Sequence, residues 1–256
     1  MPRVAVFSDC HGNAIALEAV LADVARAGGV DAHWVIGDVA DMGSDPAGCI
    51  ALLRGLGNAV VVRGNGDRAV VRSDADTLAS RVSSMSPDDI GLELMYLEEA
   101  AWTRGAITQV DVAHLDWLEE RALESRQTLP DGTRVLLVHA APGRDDGPGP
   151  LSTHSDDDMR EMLAGCDADL VFVGHTHVPM DRTVDGFRVV NTGSVSNPVT
   201  DDRRAMWTFV DADNDGYRLE RRFVAYDQER HLRELDRMRH PAAEAIRAFF
   251  EGKAAR

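Results

Sequence analysis

Cysteine is scarce in this 256-residue chain. Cys10, Cys49 and Cys166 lie far apart and none shares a C-x-x-C spacing, so neither a disulfide framework nor a thiolate zinc site is indicated. A reducing cytoplasm is the expected compartment. Long apolar runs are missing as well: no stretch of about 18 apolar residues occurs, and the first residues enter a strand pattern rather than a leader. Membrane spanning and secretion are therefore not expected. Positive charge is in deficit, with 27 Lys and Arg against 43 Asp and Glu and a formal net charge of −16. Such a surface repels nucleic-acid backbones and anionic membranes. That excludes general nucleic-acid binding but leaves room for a small phosphorylated substrate. Hydrophobic residues make up 44%, enough for a sizeable core, and the chain reads as a single domain over residues 1–256.

The clearest positive pattern is a series of short apolar runs, each ending in a residue able to bind metal. Residues 3–7 end in Ser8-Asp9-Cys10-His11, and residues 33–36 in Gly37-Asp38. Residues 59–62 end in Arg63-Gly64-Asn65, residues 135–138 in His139, and residues 170–173 in Gly174-His175-Thr176-His177. Runs of this length, rich in Val, Ile, Leu and Phe, read as buried strands. Helical stripes lie between most of them. One is Leu17, Val20, Leu21 and Val24, stopped at Gly28-Gly29; another opens at Asp45-Pro46 and carries Cys49, Ile50, Leu53 and Leu56. Strands alternating with helices predict α/β architecture, in which sites gather at the carboxyl ends of strands.

Residues 72–130 break the alternation and show no convincing strand. Ser86-Pro87-Asp88-Asp89 predicts a helix with the stripe Ile90, Leu94, Leu97 and Ala101. Thr108 to Asp111 predicts the start of another, with Val112, Leu115, Leu118 and Ala122. This reads as a helical insertion, either a lid over the site or a pair of helices packed on the sheet. After His177, strands over 187–190, 205–210 and 217–224 suggest an antiparallel second sheet, and residues 227–256 form a helical tail. Asp211-Ala212-Asp213-Asn214-Asp215-Gly216 begins like a calcium loop but has Arg222 where that loop needs Glu, so a hairpin turn is expected. The Asp156–Asp158 run reads as the first turn of a helix.

Singly, the polar motifs are weak. Asp9-x-His11 would place two side chains on one side of an extended segment. Gly37-Asp38 with Asp41 is a common turn, Gly64-Asn65-Gly66-Asp67 is turn-like, and a lone His139 is unremarkable. His175-x-His177 after a strand is better metal geometry. Together they supply carboxylate, imidazole and amide oxygen, donors that suit Mn, Fe, Zn or Ni. The order D-x-H, G-D-x-x-D, G-N-x-D, H, G-H-x-H over residues 3–210 resembles that of the calcineurin-like metallophosphoesterases. The Ser8-to-Asn13 opening and the segment from Val190 to Val195 resemble the small bacterial and archaeal phosphodiesterase branch. There the second stretch usually reads N-P-G-S-V, and here Thr192 replaces the proline.

The resemblance implies a fold of two packed mixed β-sheets flanked by helices, a four-layer αββα sandwich. It implies that Asp9, His11 and His177 bind one divalent ion, that Asn65, His139 and His175 bind a second, and that Asp38 bridges both. Asp41 would orient a histidine ligand. Two divalent ions, Mn favoured with Fe, Ni or Zn as alternatives, would support hydrolysis of a small phosphoester by a metal-bridging hydroxide. The expected activity is a phosphodiesterase. A non-catalytic scaffold module of the same fold, or a phosphomonoesterase or nucleotide pyrophosphatase, are the alternatives. Asn13 is a candidate phosphate contact or a helix cap, and Arg68 and Arg144 are candidates for steadying phosphoryl charge. His33, His114, His154, His231 and His240 read as structural or solvated, and Cys10 as packing. One position departs from the family: many members have histidine where this chain has Gly66, so the usual proton donor to the leaving oxygen is absent. Asp67 is a distant substitute.

Overall fold

The computed structural model describes residues 2–72 and 84–253. Its first sheet contains β1 (Arg3–Phe7), β2 (Ala32–Ile36), β3 (Ala59–Val62), β9 (Ala205–Asp213) and β10 (Gly216–Val224), in the order β10-β9-β1-β2-β3. Its second contains β4 (Glu124–Thr128), β5 (Arg134–Val138), β6 (Leu170–Val173), β7 (Met180–Val184) and β8 (Phe187–Asn191), in the order β4-β5-β6-β8-β7. Both are mixed. β1, β2 and β3 run parallel, as do β5, β6 and β8, while β9, β10, β4 and β7 pair antiparallel.

Strand alternation builds the layers. Val4 and Val6 face one way and join Trp34, Ile36, Leu137 and Phe172 in the core between the sheets. Ala5 and Phe7 face the other way, against α1 (Ala14–Arg26) and α2 (Pro46–Arg54). Trp34 meets Phe172 edge-on across the sheets, with ring centroids 6.1 Å apart. On the outer face of the second sheet, Leu136, Val138, Val171 and Val173 pack on Met159 and Leu163, around the short helix α6 (Asp156–Met162). Helix, sheet, sheet, helix is the expected sandwich. Asp45 caps α2 through Gly48 N–H, and Ser155 and Asp158 close a capping box on α6.

The segment at 72–130 differs from expectation. Residues 73–83 lie outside the described residues. Beyond them come α4 (Pro87–Val110), capped by Ser86, and α5 (Ala113–Glu119). Between β3 and residue 73 the chain forms α3 (Asn65–Arg72). The helix beginning expected at Thr108 does not exist: α4 runs through it, and the Thr108 hydroxyl donates back to Arg104 O. The buried face of α4 is Glu99, Ala100, Thr103 and Ile107, whereas Leu94 of the expected stripe is 47% exposed. Glu99 belongs inside because its carboxylate accepts from Met42 N–H at 2.6 Å, a pairing that an apolar pattern cannot announce. The segment also holds β4, whose sequence is polar because it is an edge strand covered on one side only.

The strands after His177 do not form one antiparallel sheet. β8 joins the second sheet beside β6, and the β9–β10 hairpin joins the first beside β1. Pairing of Asp213 with Gly216 makes the Asp211–Gly216 stretch the expected hairpin turn. The unforeseen β7 is an edge strand joined to β8 by Asp185-Gly186, both with positive φ (49° and 90°). That two-residue Asp-Gly turn was a legible hairpin signal. The tail carries α7 (Gln228–Met238) and α8 (Ala243–Glu251), and residues 254–256 lie outside the described residues.

Candidate metal centre

The five apolar runs end at one place. Beyond the strand ends the loops continue to pair: Asp9 N–H donates to Gly37 O and His11 N–H to Asp38 O, each at 3.0 Å, and Gly174 N–H donates to His139 O at 2.9 Å. On its other flank the first loop is held by Val195 N–H on Ser8 O and Ser196 N–H on Asp9 O. The Ser8 hydroxyl shares a 2.8 Å hydrogen bond with Thr192 Oγ1. Thr192 thus supplies a hydroxyl link where the family's usual proline could not.

Asp9, His11, Asp38, His175 and His177 all adopt positive φ, between 44° and 67°. Left-handed backbone is unfavourable for such residues and clusters where the surroundings impose it for function. The Asp9–His11 pair therefore converges through a turn and not, as expected, by alternation in an extended segment. Cys10 between them is fully buried in the helix-side core, as expected. Glycine at 64 is required by close approach: a Cβ there would fall inside 3.0 Å of Asp38 N and Oδ1.

Four imidazoles define the chemistry. His139 Nδ1 donates to Ile36 O (2.6 Å), His175 Nε2 to Gly147 O (2.8 Å) and His177 Nδ1 to Asn197 O (2.7 Å). Carbonyl oxygens only accept, so these nitrogens carry the protons. His11 Nδ1 donates to Asp41 Oδ1 at 3.0 Å. Each ring therefore keeps its other nitrogen for the inward side, where it can hold a proton or, once that proton leaves, coordinate a cation. His11 Nε2 and His177 Nε2 lie only 2.9 Å apart, with Asp9 Oδ1 at 3.9 and 3.3 Å from them. His139 Nε2 lies 3.2 Å from Asp38 Oδ2 and 4.0 Å from Asp9 Oδ1. The Asn65 amide sits 2.9 Å from His175 Nδ1 and 3.3 Å from His139 Nε2. As placed, its oxygen faces both rings, the orientation in which it would join them as a third donor to a cation; turned over, its NH2 would donate to them. Asp9 Oδ2 is buried with no hydrogen-bond partner. Inward-facing ring nitrogens and an orphaned carboxylate oxygen are what a cation would resolve, so these residues fit divalent metal. Asp9, His11 and His177 could hold one ion. Asp9, Asp38 and His139 form a second convergent group, with Asn65 and His175 beside His139.

The charges agree. Burial alone would lower the His11 and His139 imidazoles, yet Asp41, Asp38 and Asp9 around the first and Asp38 and Asp9 around the second raise each to about 10. Burial works to raise Asp38, and His139, His11 and His175 hold it far below the usual carboxylate range. The carboxylates thus draw positive charge inward, as protons when no metal is present.

The remaining candidates separate. Asn13 is fully buried, accepts from Ala16 N–H as the cap of α1, and donates to Ser196 Oγ; it takes the helix-cap role and does not line the site. Arg144 pairs with Ala141 in a tight turn that carries it to a separate hollow beside Asp158 and Glu161. Arg68 does line the site, its Nε 3.1 Å from Asp145 Oδ1 and its Nη2 2.7 Å from Asp146 Oδ2. Asp67 is no proton donor to substrate: it is fully buried and accepts from the N–H groups of Val39, Ala40 and Gly64. The other histidines serve elsewhere, among them His114 on Arg54 and His231 on Ser44. Glu93, Tyr96 and Phe249, together with Leu97 of the expected helical stripe, line the cavity above the ligand cluster.

Residues 3–215 match the family described as the calcineurin-like phosphoesterase superfamily domain. The chain belongs to that superfamily. Among its relatives is an uncharacterised protein of Methanocaldococcus jannaschii, 26% identical over 75% of this chain and 69% of the other. The fold of this chain is similar to that of a hypothetical protein from Pyrococcus horikoshii (TM-score 0.80, 18% identity, all of both chains). It is also similar to that of a metallophosphoesterase from Sphaerobacter thermophilus (TM-score 0.69, 24% identity, 94% of this chain and 98% of the other). Helix α8, which carries Phe249, lies beyond the matched span. Among the described residues no helix is long and apolar enough to cross a membrane.

Proposed function

We propose that this calcineurin-like chain is a phosphodiesterase that works with two divalent ions, Mn favoured, on a small phosphoester. The observation that carries the reading is the set of four imidazoles. Each spends one N–H on a fixed acceptor and turns its other nitrogen toward Asp9, Asp38 and Asn65. When bound, such a pair of ions supplies Lewis acidity at phosphorus and an activated water. The protein's own work is orientation. Asp41 holds His11, Asn197 holds His177, and the Asp9 and Asp38 carboxylates supply the negative charge that retains cations. Arg68, braced by Asp145 and Asp146, stands where it can contact a non-bridging phosphoryl oxygen. Gly66 offers the leaving oxygen no proton, so esters with good leaving groups should react fastest.

The ligand set is complete, which speaks against a purely scaffolding role. The test is turnover of bis-nitrophenyl phosphate and nitrophenyl phosphate by metal-free protein reloaded with Mn, Fe, Ni or Zn. Diester hydrolysis exceeding monoester hydrolysis and abolished by Asp38→Ala supports the proposal. Turnover of neither ester with any ion would leave a metal-binding scaffold. Preference for the monoester would make the chain a phosphomonoesterase.

A further inference from the structure

The ligand cluster forms the floor of a cavity of about 620 Å³, a size suited to a phosphoryl group with an organic substituent attached. The walls differ from the floor. α4 contributes Tyr96 and Leu97, α8 contributes Phe249, and Met42 and Val199 complete an apolar rim. Tyr96 is 48% exposed although it is aromatic and stands on the cavity. Phe249 lies beside a ligand candidate, its ring centroid 6.0 Å from that of His177. A substituent on phosphorus would therefore leave the floor between two aromatic side chains. The lining also includes the acids Glu93 and Asp146, and Arg68 is already bridged to Asp145 and Asp146. A second negative charge on the substituent would meet acids there.

Resting on the phosphodiesterase reading, the geometry points to a substrate class: monoanionic phosphodiesters that carry one flat, apolar or aromatic group and no further negative charge, selected by Tyr96 and Phe249. Nucleotides with an ionised polyphosphate tail fall outside it. Aromatic rings contribute large buried areas, and offset or edge-on pairs add specific attraction, whereas an anion placed beside carboxylates is repelled.

Three phosphinates test this on the Mn-loaded full chain by calorimetry: dimethylphosphinate, methylphenylphosphinate and (4-carboxyphenyl)methylphosphinate. None has an ester bond to break, so binding is read apart from turnover. The phenyl probe should bind about tenfold tighter than the dimethyl probe, and the added carboxylate should cost most of that gain. Tyr96→Ala changes a half-exposed helix position and should cut the phenyl preference to about threefold or less; Phe249→Leu, which keeps an apolar side chain of similar bulk, should reduce it in the same direction. Equal affinity for phenyl and dimethyl probes, or a preference that survives in both variants, overturns the assignment. A carboxyphenyl probe that binds as tightly as the phenyl probe overturns its charge component. If the phenyl preference holds while no diester is hydrolysed, the selectivity stands and the hydrolase reading fails; if diesters turn over without any phenyl preference, the hydrolase reading stands and the selectivity fails.

Discussion

Gly66 stands where the resemblance leads us to expect histidine, and the structure shows what a side chain would meet there. A Cβ at Gly66 would fall inside 3.0 Å of Asp41 Cγ, Oδ1 and Oδ2. The backbone is not the obstacle, since Gly66 is absent from the residues with positive φ. Asp41 is 8% exposed and holds His11 Nδ1 at 3.0 Å. In Gly66→Ala that carboxylate must turn away, and His11 loses the partner that fixes its tautomer and orientation. Overpacking of this kind costs about 1–3 kcal/mol of stability, and loss of a carboxylate behind a ligand histidine lowers metal affinity about 10–100-fold. The assays are urea denaturation of the metal-free protein and Mn titration of the folded one. Asp41→Ala removes the same hydrogen bond without a clash. The double variant Gly66→Ala/Asp41→Ala should therefore be no worse than Asp41→Ala alone, a non-additivity of about 0.5–3 kcal/mol. Native Mn affinity and stability in Gly66→Ala, or simple additivity in the double variant, would refute the reasoning. The same clash means that Gly66→His tests the missing proton donor only when Asp41 has room to move.

Other outcomes follow from the same geometry. Wild-type protein loaded with Mn should hold close to two ions per chain and Asp38→Ala well under one by elemental analysis; an unloaded wild type would remove the metal reading altogether. His11 and His139, raised to about 10 without metal, are protonated at neutral pH, so Mn binding should release protons. Calorimetry in buffers of different ionisation enthalpy reads that release, and identical heats would contradict it. Deleting residues 86–121 should abolish cooperative unfolding, because Ile107 and Leu118 are fully buried against the same core as Leu17 and Ile50; a truncated protein that still melts cooperatively would make the helices a dispensable lid. Burial first, and then Asp41, raise the Glu99 carboxyl from its ordinary 4.5 to about 7. An acid raised on folding costs nothing below its unfolded value and its full penalty above the folded one. Metal-free Glu99→Gln should therefore be more stable than wild type above about pH 7, by on the order of 3 kcal/mol, with the gap closing toward about pH 4.5. A gap independent of pH would exclude a buried charge at this position.

The sequence carried the catalytic half of this molecule better than its periphery. β1, β2 and β6 were readable because parallel strands inside a covered sheet are apolar runs, and the ligand candidates stand directly after them. β4 and β7 were not, since edge strands carry polar residues: Glu124–Thr128 has no apolar alternation at all. The face of α4 was misjudged for a related reason. Its inward side includes Glu99, buried through a hydrogen bond to a loop 57 residues away in sequence, and its outward side leaves Leu92 and Leu94 in the open. The separation of Asn13, Arg68 and Arg144 is likewise a tertiary effect. All three follow motif residues closely in the chain, but a helix cap, a braced cavity wall and a tight turn send them to different places.

The insertion both packs into the core and lines the cavity. α4 buries Ala100, Thr103 and Ile107 in the core while its neighbouring turn presents Leu97 and Tyr96 to the cavity, and Glu99 ties that helix to Met42 beside Asp41. A helix so anchored cannot swing away without exposing the core and orphaning the Met42 amide. Tyr96 and Leu97 therefore stand in a rigid wall, and selection at the rim comes from shape and charge already in place when substrate arrives. The ligand loops follow the same logic. Five left-handed residues cost about 1–3 kcal/mol each, a large share of the roughly 5–15 kcal/mol that holds a domain folded. They persist because Ser8, Thr192, Ser194, Ser196 and Asp67 tie the loops to one another through buried hydrogen bonds. Ordering entropy is thus met during folding rather than at metal binding, which lets weakly coordinating donors such as Asn65 contribute to a cation site.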